Sequence, residues 1–202
     1  MYKIAICLNT FLRDKLMEKS TQSILDNFPQ DCILLIADQG YNCEEKNMYY
    51  DYLKSQIPCE VYYLSFDSGL SYARNFLVLI INSKNMPYTL IMTDSIQFPS
   101  IQNFEQLFNL LNSNDLISFG LIPFKDPFIA KTNTLLNLWD EELKIYDYEF
   151  AQANYLKKGF KIIINSDYNF KKIKTHSSKE YLEYCKRIKY YKQLSIQKLK
   201  CI

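Results

Sequence analysis

Glycine is scarce in this chain: four residues in 202, with no GxGxxG and no GxxxxGKS or GxxxxGKT run. Dinucleotide-binding and P-loop architectures need a glycine-rich backbone to cradle phosphate, so both are excluded. Any phosphate must be held by something else. Histidine occurs once, at His176, and the six cysteines (Cys7, Cys32, Cys43, Cys59, Cys185, Cys201) show no CxxC spacing. Sitting mostly in apolar runs, they read as reduced thiols in a cytoplasmic setting, not as a zinc site or a disulfide framework. Long hydrophobic stretches are also missing. The longest, residues 32–37 and 76–81, fall far short of the roughly 18 residues a membrane span requires. Met1 leads directly into a strand-like segment, so no signal peptide is expected.

What is present is an ordinary globular balance, 48% hydrophobic and 23% charged. That length and balance suit one compact domain over residues 1–202. Aromatic rings with polar edges are plentiful, with 17 Tyr and 13 Phe, and such rings serve both core packing and sugar stacking. The net charge of +2 hides an asymmetry: residues after 170 carry ten Lys and Arg against two acids, leaving the remainder negative. Residues 171–202 therefore read as a basic C-terminal extension packing on the domain. Its cations either form a solvated helix face or meet phosphates on a donor, a membrane surface or nucleic acid.

Along the chain, residues 3–8, 32–37, 60–64, 88–92, 116–122 and 160–164 are short apolar runs with polar punctuation, the pattern of buried strands. Helical spacing of apolar residues falls at 14–28, 69–82, 101–112 and 147–158, and a basic helix begins at Ser178. Strands alternating with helices imply an α/β fold with a mostly parallel sheet covered on both faces. In such sheets ligands bind beyond the carboxyl ends of the strands. The residues there are Asn9-Thr10-Phe11-Leu12-Arg13, Asp38-Gln39-Gly40, Asp67-Ser68-Gly69 and Thr93-Asp94-Ser95.

As an ordered set, these segments resemble the inverting GT-A glycosyltransferases of family 2, in particular the branch with the β-1,4-N-acetylgalactosaminyltransferases and short viral or bacterial relatives. Residues 9–13 (NTFLR) are similar to that family's TFLR segment, and residues 34–38 (LLIAD) to its strand ending in a nucleoside-contacting aspartate. Residues 69–75 (GLSYARN) are similar to its GLSxARN helix start, and residues 88–95 (YTLIMTDS) occupy the place of the strand leading into its acidic DxD motif. Residues 139–145 (WDEELKI) and 147–150 (DYEF) resemble its WDEEL segment and the helix start that supplies a catalytic base.

The resemblance implies a GT-A domain that moves a sugar from a nucleotide-diphosphate donor, UDP-linked, to a hydroxyl of a glycan, lipid-linked or other acceptor. It implies a donor site built from Asn9, Thr10, Arg13, Asp38, Gly69, Arg74, Asn75, Thr93, Asp94 and Ser95. Four have plainer alternatives: Asp38 as a turn residue, Arg13 as a helix-cap ion pair, Gly69 as a tight turn, Arg74 as a surface charge. For the base it implies Glu149, with Asp147 as the alternate; acids at a helix start also serve the dipole. The family's acidic motif carries Mn or Mg, yet Thr93 and Ser95 stand where carboxylates belong, and neutral hydroxyls are poor ligands for a hard cation. Three outcomes stay open: a metal on Asp94 with His176, leaving-group charge met by Arg74 and tail lysines, or nucleotide binding without turnover. His176 alternatively is a loop residue before the S-x-x-E capping box of residues 177–180. Trp139 is expected on the acceptor side.

Overall fold

The structure, a computed structural model, describes residues 2–101, 104–125, 127–145, 147–174 and 178–200. Seven strands form the central sheet: β1 (Ile4–Thr10), β2 (Cys32–Asp38), β3 (Cys59–Tyr63), β4 (Tyr88–Thr93), β6 (Leu116–Ser118), β7 (Phe128–Lys131) and β8 (Ile162–Ile164). Their order is β3-β2-β1-β4-β7-β6-β8, and all neighbours run parallel except β7, antiparallel to both β4 and β6. A separate antiparallel ribbon pairs β5 (Ile96–Gln97) with β9 (Lys171–Lys172). The helices are α1 (Asp14–Asp26), α2 (Glu44–Gln56), α3 (Leu70–Ser83), α4 (Phe104–Ser113), α5 (Tyr148–Lys157), α6 (Lys179–Cys185) and α7 (Ile188–Leu199).

The apolar runs behave as the side-chain period of two demands. Every residue of β1 and β2 is buried, because both sheet faces are covered. Ile4, Ile6, Leu8, Leu34, Ile36, Leu90 and Met92 point to one core with Met17, Ile24, Tyr50, Leu53 and Leu107 from α1, α2 and α4. Their alternating neighbours Ala5, Cys7, Leu35, Ala37 and Ile91 point to the other, with Ala73, Leu77, Val78, Ile81 and Tyr155 from α3 and α5. Full burial of each aliphatic side chain contributes about 1.5–3 kcal/mol. The sheet is thus fixed from both sides, and its strand ends form a rigid rim.

The structure differs from the sequence reading in α2 and in the strand after α4. α2 lacks a broad apolar stripe, since it buries only Lys46, Tyr50 and Leu53. The strand expected over 116–122 stops at Ser118, and the chain turns there before returning as the antiparallel β7. Of the helix expected over 101–112, α4 covers Phe104–Ser113. Arg187 and Lys198 of the basic extension meet the body: Arg187 makes two hydrogen bonds to Asp67, at 2.8 and 3.0 Å, and Lys198 bridges Asp140 and Glu142.

No described helix is long and apolar enough to cross a membrane. The five described cysteines are free thiols. Burial pushes Cys32 and Cys59 up to about 12 and Cys7 higher still, which makes all three poor nucleophiles near neutral pH.

Candidate active site

The rim at the carboxyl ends of β1, β2 and β4 brings distant residues together. In register, Thr10 lies beside Asp38 and Asn9 beside Thr93. Past the end of β1, Leu12 takes a left-handed backbone (φ 56°), a costly conformation for a branched residue. Arg13 follows it, with Nη1 3.1 Å from Asp94 Oδ1. The other carboxylate oxygen of Asp94 accepts the Thr10 hydroxyl at 3.0 Å. Asp94 is 3% exposed. Burial raises its pKa to about 6, although Arg13 and the Thr10 hydrogen bond pull downward. The flanking hydroxyls of Thr93 and Ser95 bond each other at 3.1 Å.

These residues open into a cleft of about 390 Å³, the size of a small-molecule site. Asn9, Arg13, Thr93, Asp94 and Ser95 line it, as the sequence led us to expect. Gln39, Lys125, Lys172, Tyr181 and Tyr184 line it too. The two tyrosines come from α6, one helical turn apart. Tyr181 accepts from Arg13 Nη1 at 3.1 Å, and the guanidinium stacks on its ring at 4.7 Å. Tyr184 packs on Phe11 at 4.6 Å, Phe11 on Phe66 at 5.2 Å, and Phe66 stacks on Tyr41 at 4.7 Å. Tyr41 and Phe66 are 61% and 50% exposed and stand outside the cleft lining, so this row of rings runs from the wall to two open faces.

Asp38 stands at the rim but is spent on the protein. It is buried and takes hydrogen bonds from Tyr50 (2.7 Å) and the Gly40 N–H (2.8 Å), with Lys46 Nζ at 3.1 Å. Lys46 also reaches Asp14 at 2.8 Å, so one cation ties α1, α2 and β2 together. The neighbouring Gln39 faces the cleft and accepts the Gly69 N–H at 2.6 Å.

Gly69, Arg74 and Asn75 do not line the cleft; they build a clamp behind it. Gly69 has φ +100°, and a Cβ there would meet Lys144 at 2.9 Å, which explains the glycine. Arg74 is 3% exposed and pairs with the buried Asp147 at 3.1 Å, while Ser71 donates to the same carboxylate at 3.0 Å. Burial raises the pKa of Asp147, with Arg74 opposing. The Asn75 amide donates to the Trp139 carbonyl and to Glu141, and its oxygen accepts the Trp139 N–H. Trp139 is 4% exposed and packs with Phe124, a core residue and not an acceptor platform. A carboxylate sealed this way cannot reach an acceptor hydroxyl, so Asp147 is a structural partner. Glu149 lies in the first turn of α5, half-buried, outside the described cleft lining. His176 lies outside the described residues.

The described residues do not fit a divalent metal ion. They contain no group of three His, Cys, Asp or Glu that could hold one. Asp94 is the only described carboxylate lining the cleft, and both its oxygens are engaged. Lys125 was not legible as a site residue: it is a common surface type, and only the turn after β6 brings it to the rim. Gln39 stood in the segment after the second strand and Lys172 among the tail lysines, while Tyr181 and Tyr184 are two rings three apart on one helix face.

A larger groove, about 810 Å³, lies across the β5–β9 ribbon between the end of α1 and α4. Gln97 and Lys171 face it, while their neighbours Ile96 and Lys172 face the Asp94 cleft. The ends of β1, β2 and β4 do not open into it.

With that geometry in hand, solved structures give the fold. S. aureus TarS 1–349 in complex with UDP matches with a TM-score of 0.64 at 13% identity, over 94% of this chain and 65% of that one. GalNAc-T7 with UDP, GalNAc and Mn2+ gives 0.66 at 10% identity, over 94% and 50%. A cytidylyltransferase from Leptospira borgpetersenii gives 0.54 at 11% identity, over 99% and 94%. Similarity at such identities shows the fold alone: a mixed α/β domain of the GT-A fold. The chain spans 59%, 39% and 65% of the three TarS chains it matches. No protein-family model matches the sequence, and no curated protein matches it.

Proposed function

We propose that this protein is an inverting glycosyltransferase whose donor, a UDP-linked sugar, occupies the Asp94 cleft and whose acceptor is a hydroxyl of a glycan or lipid-linked molecule. One observation carries the reading. In a GT-A fold, a cleft of nucleotide-sugar size opens at the carboxyl ends of β1, β2 and β4, with cations inside and the rings of Phe11, Tyr181 and Tyr184 in its wall. Base or sugar rings stack on aromatic faces, and the cations meet phosphate.

In the reaction, the acceptor oxygen attacks the anomeric carbon from the side opposite the leaving group. The bond from that carbon to the diphosphate oxygen breaks, and its electron pair stays on the diphosphate. The acceptor proton passes to a carboxylate, for which Glu149 is our choice. Its half-buried place in the first turn of α5, four residues beyond the cleft-lining Ile145, supports that assignment.

A second reading, nucleotide binding without turnover, is favoured by the commitment of Asp94 to Arg13 and Thr10. A transfer and donor-hydrolysis assay over a panel of UDP-sugars separates the two. Turnover that falls at least a hundredfold in Glu149→Gln, with UDP affinity kept, supports the transferase. Tight UDP binding with no turnover of any donor replaces it with the second reading.

A further inference from the structure

We propose that this cleft holds the donor diphosphate with protein cations in place of a divalent metal ion. The inference rests on the donor-site reading above and concerns how that site meets phosphate. A hard dication takes about six oxygen ligands and is drawn to anionic ones. At the end of β4 it would find one carboxylate, with Oδ1 facing Arg13 at 3.1 Å and Oδ2 holding Thr10 at 3.0 Å. The flanking Thr93 and Ser95 offer neutral hydroxyls already bonded to each other. A guanidinium fixed against Asp94 puts positive charge where a metal would stand, and a dication there would be repelled.

Arg13 is also built in. Stacked on Tyr181 and hydrogen-bonded to its hydroxyl, it keeps its position without a ligand, and its buried Nε has no hydrogen-bond partner. Two further cations reach the same cleft from separate elements: Lys125 from the turn after β6, and Lys172 from β9. The ribbon sets Lys172 opposite Ile96, and the Ile173 N–H bonds the Ser95 carbonyl at 2.8 Å. That contact ties the lysine strand to the loop carrying Asp94. Among the described lining residues three cations face one carboxylate, an excess that complements a doubly negative pyrophosphate. As the glycosidic bond breaks, the added negative charge on the diphosphate is met by groups already in position, with no ion to recruit.

The test is titration calorimetry of the intact chain with UDP and with uridine, in EDTA and in excess Mn2+. We expect UDP affinity to agree within about twofold between the two conditions, since no metal enters the site. Lys125 and Lys172 are exposed, so Lys125→Ala/Lys172→Ala should fold normally. It should weaken UDP by about tenfold or more and leave uridine unchanged, because two solvent-screened charge contacts to phosphate are lost. UDP binding that requires Mn2+, or that ignores the loss of both lysines, overturns the proposal while the donor site stands. Failure of UDP to bind in either condition overturns the donor-site reading and this proposal with it.

Discussion

The molecule contains two copies of one chemical arrangement, an arginine paired with a buried aspartate that also accepts a hydroxyl. At the rim, Arg13, Asp94 and Thr10 form it; behind α3, Arg74, Asp147 and Ser71 form it. What differs is access. The Arg13 side chain is 16% exposed and borders a cleft, whereas that of Arg74 is 4% exposed with its guanidinium 5.6 Å from the Trp139 ring. The pairing itself therefore says nothing about role. One arginine–aspartate–hydroxyl trio is sealed by a tryptophan and a helix, and the other borders open space.

The comparison breaks most sharply at the sealed pair. Arg74→Ala leaves Asp147 buried without a counter-charge, which costs about 3–5 kcal/mol. Chemical denaturation should show that loss, while UDP affinity measured where the variant is still folded should match the parent. A stability loss below about 1 kcal/mol would mean the clamp is not what holds Trp139 and Asp147 against α3.

The next effect is the pH response of the rim pair. Folding raises the Asp94 pKa to about 6, so the folded state holds that proton more tightly than the unfolded chain. This contribution is complete below about pH 4 and lost as pH rises through 6, a change of about 3 kcal/mol. Glu60 and Asp115 are shifted down and act in the opposite sense, so the measurement is the difference between the parent and Asp94→Asn denaturation curves. That difference should slope against the parent between pH 4 and 6; a flat difference would show that Asp94 is solvated.

The smallest effect sharpens the role of the mouth. Tyr184→Leu removes a ring that packs on Phe11 and lies 4.3 Å from the Arg187 guanidinium, worth about 0.5–1.5 kcal/mol in ring contacts. We expect a slight fall in melting temperature and a several-fold weaker UDP. An unchanged affinity would confine α6 to a structural role.

The two pairs also mark how far the sequence could be read. β1, β2 and β4 announce themselves as unbroken apolar runs because both sheet faces are covered, and α1 and α3 carry wide apolar stripes. α2 escaped notice because its few inward residues include Lys46, whose charge points at Asp14 and Asp38. β7 is four residues long, too short for a period to register. Rim residues such as Thr10, Arg13 and Asp94 were legible from their place after strands. Arg74, Asn75 and Asp147 were expected in the site because local sequence cannot tell whether a charge meets a ligand or a partner 73 residues away. Lys125 was missed for the converse reason.

The wall of the cleft joins Arg13 to Tyr181, 168 residues apart in the chain. A polypeptide emerging from the ribosome can therefore assemble β1, β2 and β4 long before the residues that roof them have been made. Until α6 docks, the rim is a shallow, open shelf with its cations in water, where they attract phosphate far more weakly. Ligand affinity should consequently be among the last properties this molecule acquires as it folds, and the first it surrenders when the helix pair peels away.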